Sequence, residues 1–424
     1  MIKERKMAKN VIKAVGLVAT LMILLTGCGK ETKPVEGIEN YVGGVSDITL
    51  PEEVQIIGLG EATHGNVELQ AVKKDVLQVL AENGECRVFA LEGDFGGGYR
   101  INEYVHGGEG TAEEAVAELG FGLYRTDEMA DLVEWIRSYN ETASEDEQIS
   151  FYGFDMQRYD NNKEILFDYL AKVDEAGKQE LEEALKDLTD ETVYEQTKEV
   201  NTKGAEDMKA FLAKMEEKRD EYIAMSDEKS YEIAYACGEC IMQNATIQSG
   251  SVSYSQARDE YMAEKVATIM AIENGERVLI AGHNGHIQKV SSNASFTCMG
   301  ERLAKEYGEA YFTIGTDFIE GEVSVIGDSG DVEDIRFQSE NALKAQIQNL
   351  EGNVFYLDVE KASENAELSE ILNTPVKIIS VGNEFSSWQK VLSGFYTTKD
   401  VVADNYDGMI LFKTVTPTER KPAP

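Results

Sequence analysis

In the first third of the chain, short apolar runs alternate with segments in which apolar residues recur at helical spacing. Short apolar runs rich in β-branched residues predict strands at 54–59, 87–91 and 149–154. Between them, apolar residues recur at helical spacing and predict amphipathic helices at 67–83 and 127–139. Strands that alternate with helices in this way predict an α/β fold, with a mostly parallel sheet flanked by helices.

The pattern changes in the middle of the chain and then returns. No strand signal lies between residues 162 and 274, where helical periodicity at 181–186, 209–222 and 231–247 comes with dense Glu and Lys. We therefore expect a large all-helical insertion or subdomain at 162–274; a plain acidic bundle that supports the sheet is the alternative. The α/β domain would then comprise 48–161 and 275–424. Its later strands are expected at 278–281, 311–315, 323–326, 354–357, 376–381 and 408–412.

The N-terminus is typical of an export signal. Five basic residues lie in the first 13 positions, and the apolar run at 14–25 is too short to span a bilayer. The sequence Leu25-Thr26-Gly27-Cys28 resembles a bacterial lipobox, which implies cleavage before Cys28 and its lipidation. We expect a signal peptide at 1–27, a tether at 28–47, and a protein that its lipid anchors to the outer face of the bacterial cell membrane. An ordinary signal peptide with an incidental cysteine is the alternative.

Composition and charge narrow the classes of partner. The chain has 40 basic and 78 acidic side chains, a formal net charge of −38, and this surface repels nucleic acid and anionic headgroups. The pair Cys237 and Cys240 has CxxC spacing, but no second pair accompanies it, which disfavours a structural zinc site. Two further cysteines, Cys86 and Cys298, lie elsewhere in the chain, and the sequence assigns no disulfide among the four.

Polar side chains follow nearly every strand of the predicted sheet. Because ligands bind at the carboxyl ends of parallel strands, these clusters are expected to converge on one pocket despite their separation in sequence. They comprise Glu61 and His64, Glu92 and Asp94, Asp155, His283 and His286, and Asp317.

The two histidine clusters suggest hydrolytic chemistry. Glu61 could fix the tautomer of His64 and make it a general base for water, although Glu61 could instead cap a helix. His283 and His286 could bind an oxyanion, protonate a leaving group or ligate a metal; hydrogen-bonded structural histidines are the alternative. The chain has no GxSxG sequence, which favours direct attack by water over an acyl-enzyme. The candidate substrate-binding residues are Arg125, Arg258, Asp94 and Lys73.

Several of these motifs, taken in order, resemble the erythromycin esterase family. They are Gly58-Leu59-Gly60-Glu61-Ala62-Thr63-His64-Gly65, Phe89-Ala90-Leu91-Glu92 and His283-Asn284-Gly285-His286-Ile287, with shorter matches around His106, Trp135, Phe151 and Met299. The resemblance implies metal-independent ester hydrolysis, with His64 as general base, Glu61 beside it, and Glu92, His283 and His286 completing the pocket. It also places Lys73 where family members carry a basic residue, and Gly285 where some carry alanine.

Three hypotheses follow from the sequence. The first is an esterase that needs no cofactor and cleaves a small-molecule carboxylic ester or a macrolide-type lactone with His-activated water. The second is a metal-dependent hydrolase that uses the same histidines and glutamates as ligands. The third is a lipoprotein that binds a small molecule without catalysis.

Overall fold

The computed structural model describes residues 33–422, so the proposed signal peptide and Cys28 lie outside the described residues. The strands are β1 (Val42–Gly43), β2 (Ile56–Glu61), β3 (Val88–Asp94), β4 (Ser150–Asp155), β5 (Val278–His283), β6 (Tyr311–Ile326), β7 (Val332–Gln338), β8 (Val354–Asp358), β9 (Val376–Ile379), β10 (Thr397–Asp400) and β11 (Gly408–Val415). The helices before residue 226 are α1 (Val67–Glu82), α2 (Phe95–Val105), α3 (Ala112–Ala117), α4 (Asp127–Asn140), α5 (Asp160–Val173), α6 (Glu175–Leu185), α7 (Lys198–Glu217) and α8 (Arg219–Met225). Those after it are α9 (Glu228–Gln248), α10 (Tyr254–Ile272), α11 (Asn284–Ile287), α12 (Met299–Tyr307), α13 (Lys344–Ile347), α14 (Val359–Ser363), α15 (Ala366–Leu372) and α16 (Val402–Asn405).

A nine-stranded sheet forms the centre of the protein. Its strand order is β1-β8-β11-β6-β2-β5-β3-β4, and β7 pairs with the far end of β6. The six strands from β11 to β4 are parallel, whereas β1, β7 and β8 run antiparallel to their neighbours. The predicted α/β fold with a mostly parallel sheet is therefore confirmed, and β9 and β10 form a separate two-stranded sheet.

Register within the sheet brings the polar clusters together. In the parallel pair of β2 and β5, Glu61 lies directly beside His283, so the last residues of two strands far apart in sequence are neighbours. On the other side of β5, Leu91 pairs with Ala281, which places Glu92 at the same edge. The β3–β4 pairing shifts between Leu91 and Asp94 and ends at Asp155.

The helical segment between β4 and β5 covers one face of this sheet. Within the described residues, 162–274 contain helices α5 to α10 and no strand, and the predicted helical periodicities fall inside α6, α7, α8 and α9. Apolar side chains from these helices share one core with sheet residues such as Ile56, Val88 and Ile280. Helices α1 to α4 contribute to a second core with the opposite face. The helical segment is thus a layer of the fold that packs on the sheet.

Two details differ from the sequence-based expectations. The runs at 311–315 and 323–326 belong to one long strand, β6, so Asp317 lies inside a strand and not at a strand exit. Asp317 is buried against Lys344, with Nζ 2.9 Å from Oδ2.

The folded body also begins earlier in the chain than the predicted tether at 28–47 implies. Val35 and Ile38 are buried in a core with Leu343, and β1 pairs with β8, so much of 28–47 belongs to the folded body.

No helix among residues 33–422 is long and apolar enough to cross a membrane.

Close contact between α2 and β4 yields a test of the fold. A Cβ added at Gly98 would lie 2.0 Å from the backbone nitrogen of Gly153. Alanine favours a helix over glycine by about 1 kcal/mol, whereas overpacking costs about 1–3 kcal/mol and here opposes rigid backbone. We expect Gly98→Ala to lower the free energy of unfolding, measured by urea denaturation. Gly394→Ala, where nothing lies within 4 Å of the added Cβ, is the control and should be near neutral. A Gly98→Ala protein as stable as the parent would contradict the packing.

Candidate active site

A cleft of about 500 Å³ opens at the carboxyl ends of β2, β5 and β3. It is lined by four predicted site residues, His64, Glu92, His283 and His286, together with Arg258. The remaining lining residues are Phe121, Gly122, Leu123, Gln157, Arg158, Tyr194, Gly382 and Asn383. The three predicted histidines therefore share one cavity: the ring centroids of His64 and His283 are 5.4 Å apart, and those of His283 and His286 are 6.4 Å apart.

His64 is held by the carboxylate of Glu61. Its Nδ1 lies 2.7 Å from Glu61 Oε1, and the backbone carbonyl of His64 accepts a hydrogen bond from Gln70 at 2.7 Å. Because a carboxylate oxygen can only accept, Nδ1 carries the proton and Nε2 keeps its lone pair. His64 is therefore oriented as a proton acceptor at the wall of the cleft.

Glu61 is ionised although it is buried. Its other oxygen, Oε2, lies 2.6 Å from the Nζ of Lys73, which is itself only 1 % exposed. Burial opposes the charged form, but the charges of Lys73 and His64 and their hydrogen bonds outweigh it and lower the pKa of Glu61. Lys73 thus acts through Glu61 and does not line the cleft.

His283 presents a free donor. The backbone N–H of Gly285 donates to its Nδ1 at 3.2 Å, so in the neutral ring the proton lies on Nε2. Burial, followed by the charge of His64, lowers the pKa of His283 to about 4 and keeps the ring neutral near pH 7. Its buried Nε2 has no hydrogen-bond partner among the described residues. An unpaired buried donor is costly and is typical of a group that awaits a ligand.

Arg258 connects the ends of β3 and β4. Its NH2 lies 2.8 Å from Glu92 Oε1 and 2.7 Å from Asp155 Oδ2. The second oxygen of Glu92 accepts the backbone N–H of His283 at 2.7 Å. Burial disfavours the carboxylate of Glu92, but the charges of His286, Arg258 and His64 hold its pKa well below the usual range. Glu92 is thus a fixed anion between two strands.

His286 is oriented by an acid on α10. Its Nδ1 lies 2.8 Å from Asp259 Oδ1, and its Nε2 lies 3.4 Å from Glu92 Oε1 and 3.2 Å from an Arg258 nitrogen. Burial lowers the pKa of this imidazole, yet Glu92 and Asp259 outweigh burial and the opposing charge of Arg258, so the net shift is upward. His286 therefore holds a proton more strongly than His283 does.

Three of the four predicted substrate-binding residues do not line the cleft: Lys73, Asp94 and Arg125. Asp94 is fully buried, caps α2 through the Gly97 N–H and accepts both hydrogen bonds from Asn162, so it is a structural residue. Arg125 follows a short helical turn, and its carbonyl accepts a hydrogen bond from Lys421. Of the four predictions in this group, only Arg258 reaches the cleft, and its guanidinium is already paired with carboxylates.

Several functional side chains escaped the sequence analysis. Asp259 orients His286, and Tyr124 packs its ring edge against His64 while its hydroxyl donates to the Glu92 carbonyl at 2.8 Å. Arg158 and Tyr194 line the mouth of the cleft. The pattern of apolar residues gives no signal for them, because each becomes part of the site only through tertiary packing.

Most carboxylate oxygens and imidazole nitrogens of the site already form hydrogen bonds or ion pairs within the protein. Across residues 33–422, no group of three or more His, Cys, Asp or Glu side chains is arranged to hold a metal ion. The four described cysteines, Cys86, Cys237, Cys240 and Cys298, are all free thiols buried away from the cleft lining.

Comparisons with known proteins find relatives among erythromycin esterases. A family model described as erythromycin esterase matches residues 81–415. Erythromycin esterase type II of Escherichia coli is 26 % identical over 303 residues, which cover 65 % of this chain and 71 % of that protein.

Solved structures show the same fold. A Bacillus cereus protein superposes with a TM-score of 0.77 at 21 % identity, covering 91 % of this chain and 98 % of that one. A mutant of erythromycin esterase EreC in its open conformation gives a TM-score of 0.63 at 15 % identity, covering 88 % and 93 %. Since the family model spans most of its length, this chain belongs to the erythromycin esterase family of ester-hydrolysing enzymes.

Proposed function

We propose that this enzyme hydrolyses a carboxylic ester or a macrolide-type lactone by direct attack of a water molecule that His64 activates. The observation that carries the proposal is the pairing of two imidazoles across one cleft. The His64 ring, held by Glu61, offers a free lone pair, and the neutral His283 ring offers a free N–H. Both rings line one cleft with centroids 5.4 Å apart, so a single bound ester could contact the base and the donor together.

The chemistry follows from these assignments. His64 Nε2 takes a proton from water while the resulting hydroxide attacks the ester carbonyl, and the new oxyanion accepts the hydrogen bond of His283 Nε2. The tetrahedral intermediate then collapses: the carbonyl re-forms, the ester C–O bond breaks, and His286, whose pKa is raised, gives its proton to the leaving alkoxide. Proton exchange with solvent then restores His64 and His286. Glu92 and Arg258 fix the relative positions of His283 and His286.

The dimensions of the cleft support a small-molecule substrate. About 500 Å³ lies within the usual range for such sites. Phe121, Leu123 and Tyr194 add apolar and aromatic surface to a lining that is otherwise largely polar, so the cleft could contact both the body and the ester group of a lactone. Two relatives are named erythromycin esterases, which makes a macrolide the first substrate to test.

We also propose that the enzyme is anchored to the outer face of the cell membrane by lipid on Cys28. The basic segment, the short apolar run and the sequence from Leu25 to Cys28 support this location. The folded body begins close behind, since Val35 is already buried in a core.

Replacing His64 tests the proposed base. We expect His64→Ala to reduce kcat by about 10²–10⁴-fold, the usual contribution of a general base, with little change in thermal unfolding. His106→Ala is the matched control, because that exposed ring only bonds the carbonyl of Asn102. Turnover of a panel of esters and lactones is measured before and after chelation. Near-parental rates in the His64 variant would refute the assignment, and activity lost on chelation would favour the metal-dependent alternative.

Replacing Lys73 tests the ionisation of Glu61. The pKa of Glu61 is lower in the folded protein than in the unfolded chain, so ionised Glu61 stabilises the fold at pH values above the unfolded pKa. This stabilisation is lost as the pH falls through the folded pKa. Without the Lys73 charge this pKa rises. We therefore expect Lys73→Met to move the acidic limb of kcat/KM to higher pH and to cost about 3–5 kcal/mol of stability at neutral pH. Lys74→Met, which removes a surface amine 4.0 Å from Asp131, is the control. An unmoved acidic limb would contradict the role of Lys73.

Replacing Cys28 tests the anchor. In a bacterial host fed labelled palmitate, the full chain should carry label and remain with membranes after a high-salt wash, and Cys28→Ser should lose both. Cys298→Ser leaves the lipobox sequence intact and should keep the label. A parent chain without label would overturn the proposed location.

A further inference from the structure

An exposed apolar projection lies between β9 and β10. It consists of two short helical turns, Ser387–Val391 and Ser393–Phe395, and we call it the 387–395 tip. Four large apolar side chains point outward there. The exposed fractions are 60 % for Trp388, 79 % for Val391, 63 % for Leu392 and 46 % for Phe395. Such a cluster on a soluble surface marks an interaction site.

We propose that the 387–395 tip inserts into the headgroup region of the membrane that carries the lipid anchor. Trp and Phe rings with neighbouring aliphatic side chains are the residues that settle at a membrane interface. This inference rests on the proposed anchor at Cys28, and it adds a second point of contact that orients the enzyme.

The short path from the anchor to the tip supports this occupant. Val35 lies seven positions after Cys28, so even a fully extended chain between them reaches only about 25 Å. Val35 donates its N–H to Gln346 at 2.7 Å, which fixes the entry point beside α13. A lipidated Cys28 would therefore hold this entry point within about 25 Å of the bilayer.

A chain of contacts leads from that entry point to the tip. Asn341, just before α13, donates to the carbonyl of Lys377 at 2.7 Å, and Lys377 Nζ donates to Ser393 Oγ at 2.8 Å. The entry point and the tip thus belong to one connected region, which includes α13, β9 and the turn of the tip.

Local charge also suits a lipid surface. From Phe385 to Lys399 the chain has no Asp or Glu but two lysines, Lys390 and Lys399, within a protein of 78 acidic residues. Glu340 lines a groove beside Lys390, and the carboxylate of Asp328 accepts the backbone N–H of Ser387 at 3.0 Å, so the neighbourhood mixes acidic and basic groups. Because charges farther than about 8–10 Å are screened at physiological salt, the acidic remainder of the body does not prevent close approach of the tip.

The two tryptophans of the chain make the proposal measurable. In Trp135→Phe, only Trp388 fluoresces. The chain from Gly29 onward retains every contact described for residues 33–422 and needs no lipid on Cys28. We mix it with vesicles of phosphatidylglycerol and phosphatidylcholine in equal parts. We expect Trp388 emission to move to shorter wavelength, and lipids brominated in the acyl chain to quench at least half of it.

Matched variants identify the surface that binds. Val391→Ser/Leu392→Ser should reduce vesicle binding by several-fold in co-sedimentation, whereas Met225→Ser/Val290→Ser, which removes two exposed apolar side chains elsewhere, should not. Unchanged Trp388 emission with vesicles would overturn the proposal. So would a blue shift that appears without vesicles as protein concentration rises, because a second copy would then cover the tip.

Further measurements separate this failure from others. Hydrolysis of a water-soluble ester by the same samples reports on the active site, and palmitate label reports on the anchor. If the chain from Gly29 onward is active and the full chain carries the label, a tip that ignores vesicles would refute the tip alone.

Discussion

The guanidinium of Arg258 contacts two buried carboxylates and an imidazole at once, and the geometry of the active site depends on it. Glu92 and Asp155 end adjacent strands, so without a cation between them two buried anions would face one another. Arg258 comes from α10, in the helical layer, and so does Asp259, which orients His286. The helical segment thereby supplies two residues to the hydrogen-bond network of the cleft. Removing one member of such a buried network costs far more than the net stability of the network.

The same arrangement explains how three imidazoles in one cleft acquire different roles. His64 faces the carboxylate of Glu61, His283 faces a backbone N–H, and His286 lies between Asp259 and Glu92. An acceptor opposite one ring and a donor opposite another select opposite tautomers. Burial then keeps His283 neutral with a pKa of about 4, while neighbouring anions raise the pKa of His286. In the proposed mechanism, the environments of these rings, and not their residue type, separate base, donor and acid.

The sequence predicted the sheet, the helical layer and the convergence of Glu61, His64, Glu92, His283 and His286, because hydrophobic periodicity and strand ends are local signals. It did not predict which acids are structural. Asp94 and Asp317 follow predicted strands and were therefore expected at the site. In the structure, Asp94 caps a helix, and Asp317 pairs with Lys344, 27 positions later in the chain. Burial and long-range pairing are tertiary properties, and Asp259 was missed for the same reason.

The position of the tip gives the proposed anchor a consequence for substrate access. Gly382 and Asn383 line the cleft, and the chain reaches Trp388 only five residues after Asn383. Attachment at Cys28 alone would limit the distance between the folded body and the bilayer but would leave the orientation of the body unset. A second contact at the tip would hold the mouth of the cleft near the headgroups. Amphiphilic esters concentrate at that interface, so the proposed orientation would raise the local concentration of an apolar lactone at the cleft without any change in the catalytic residues.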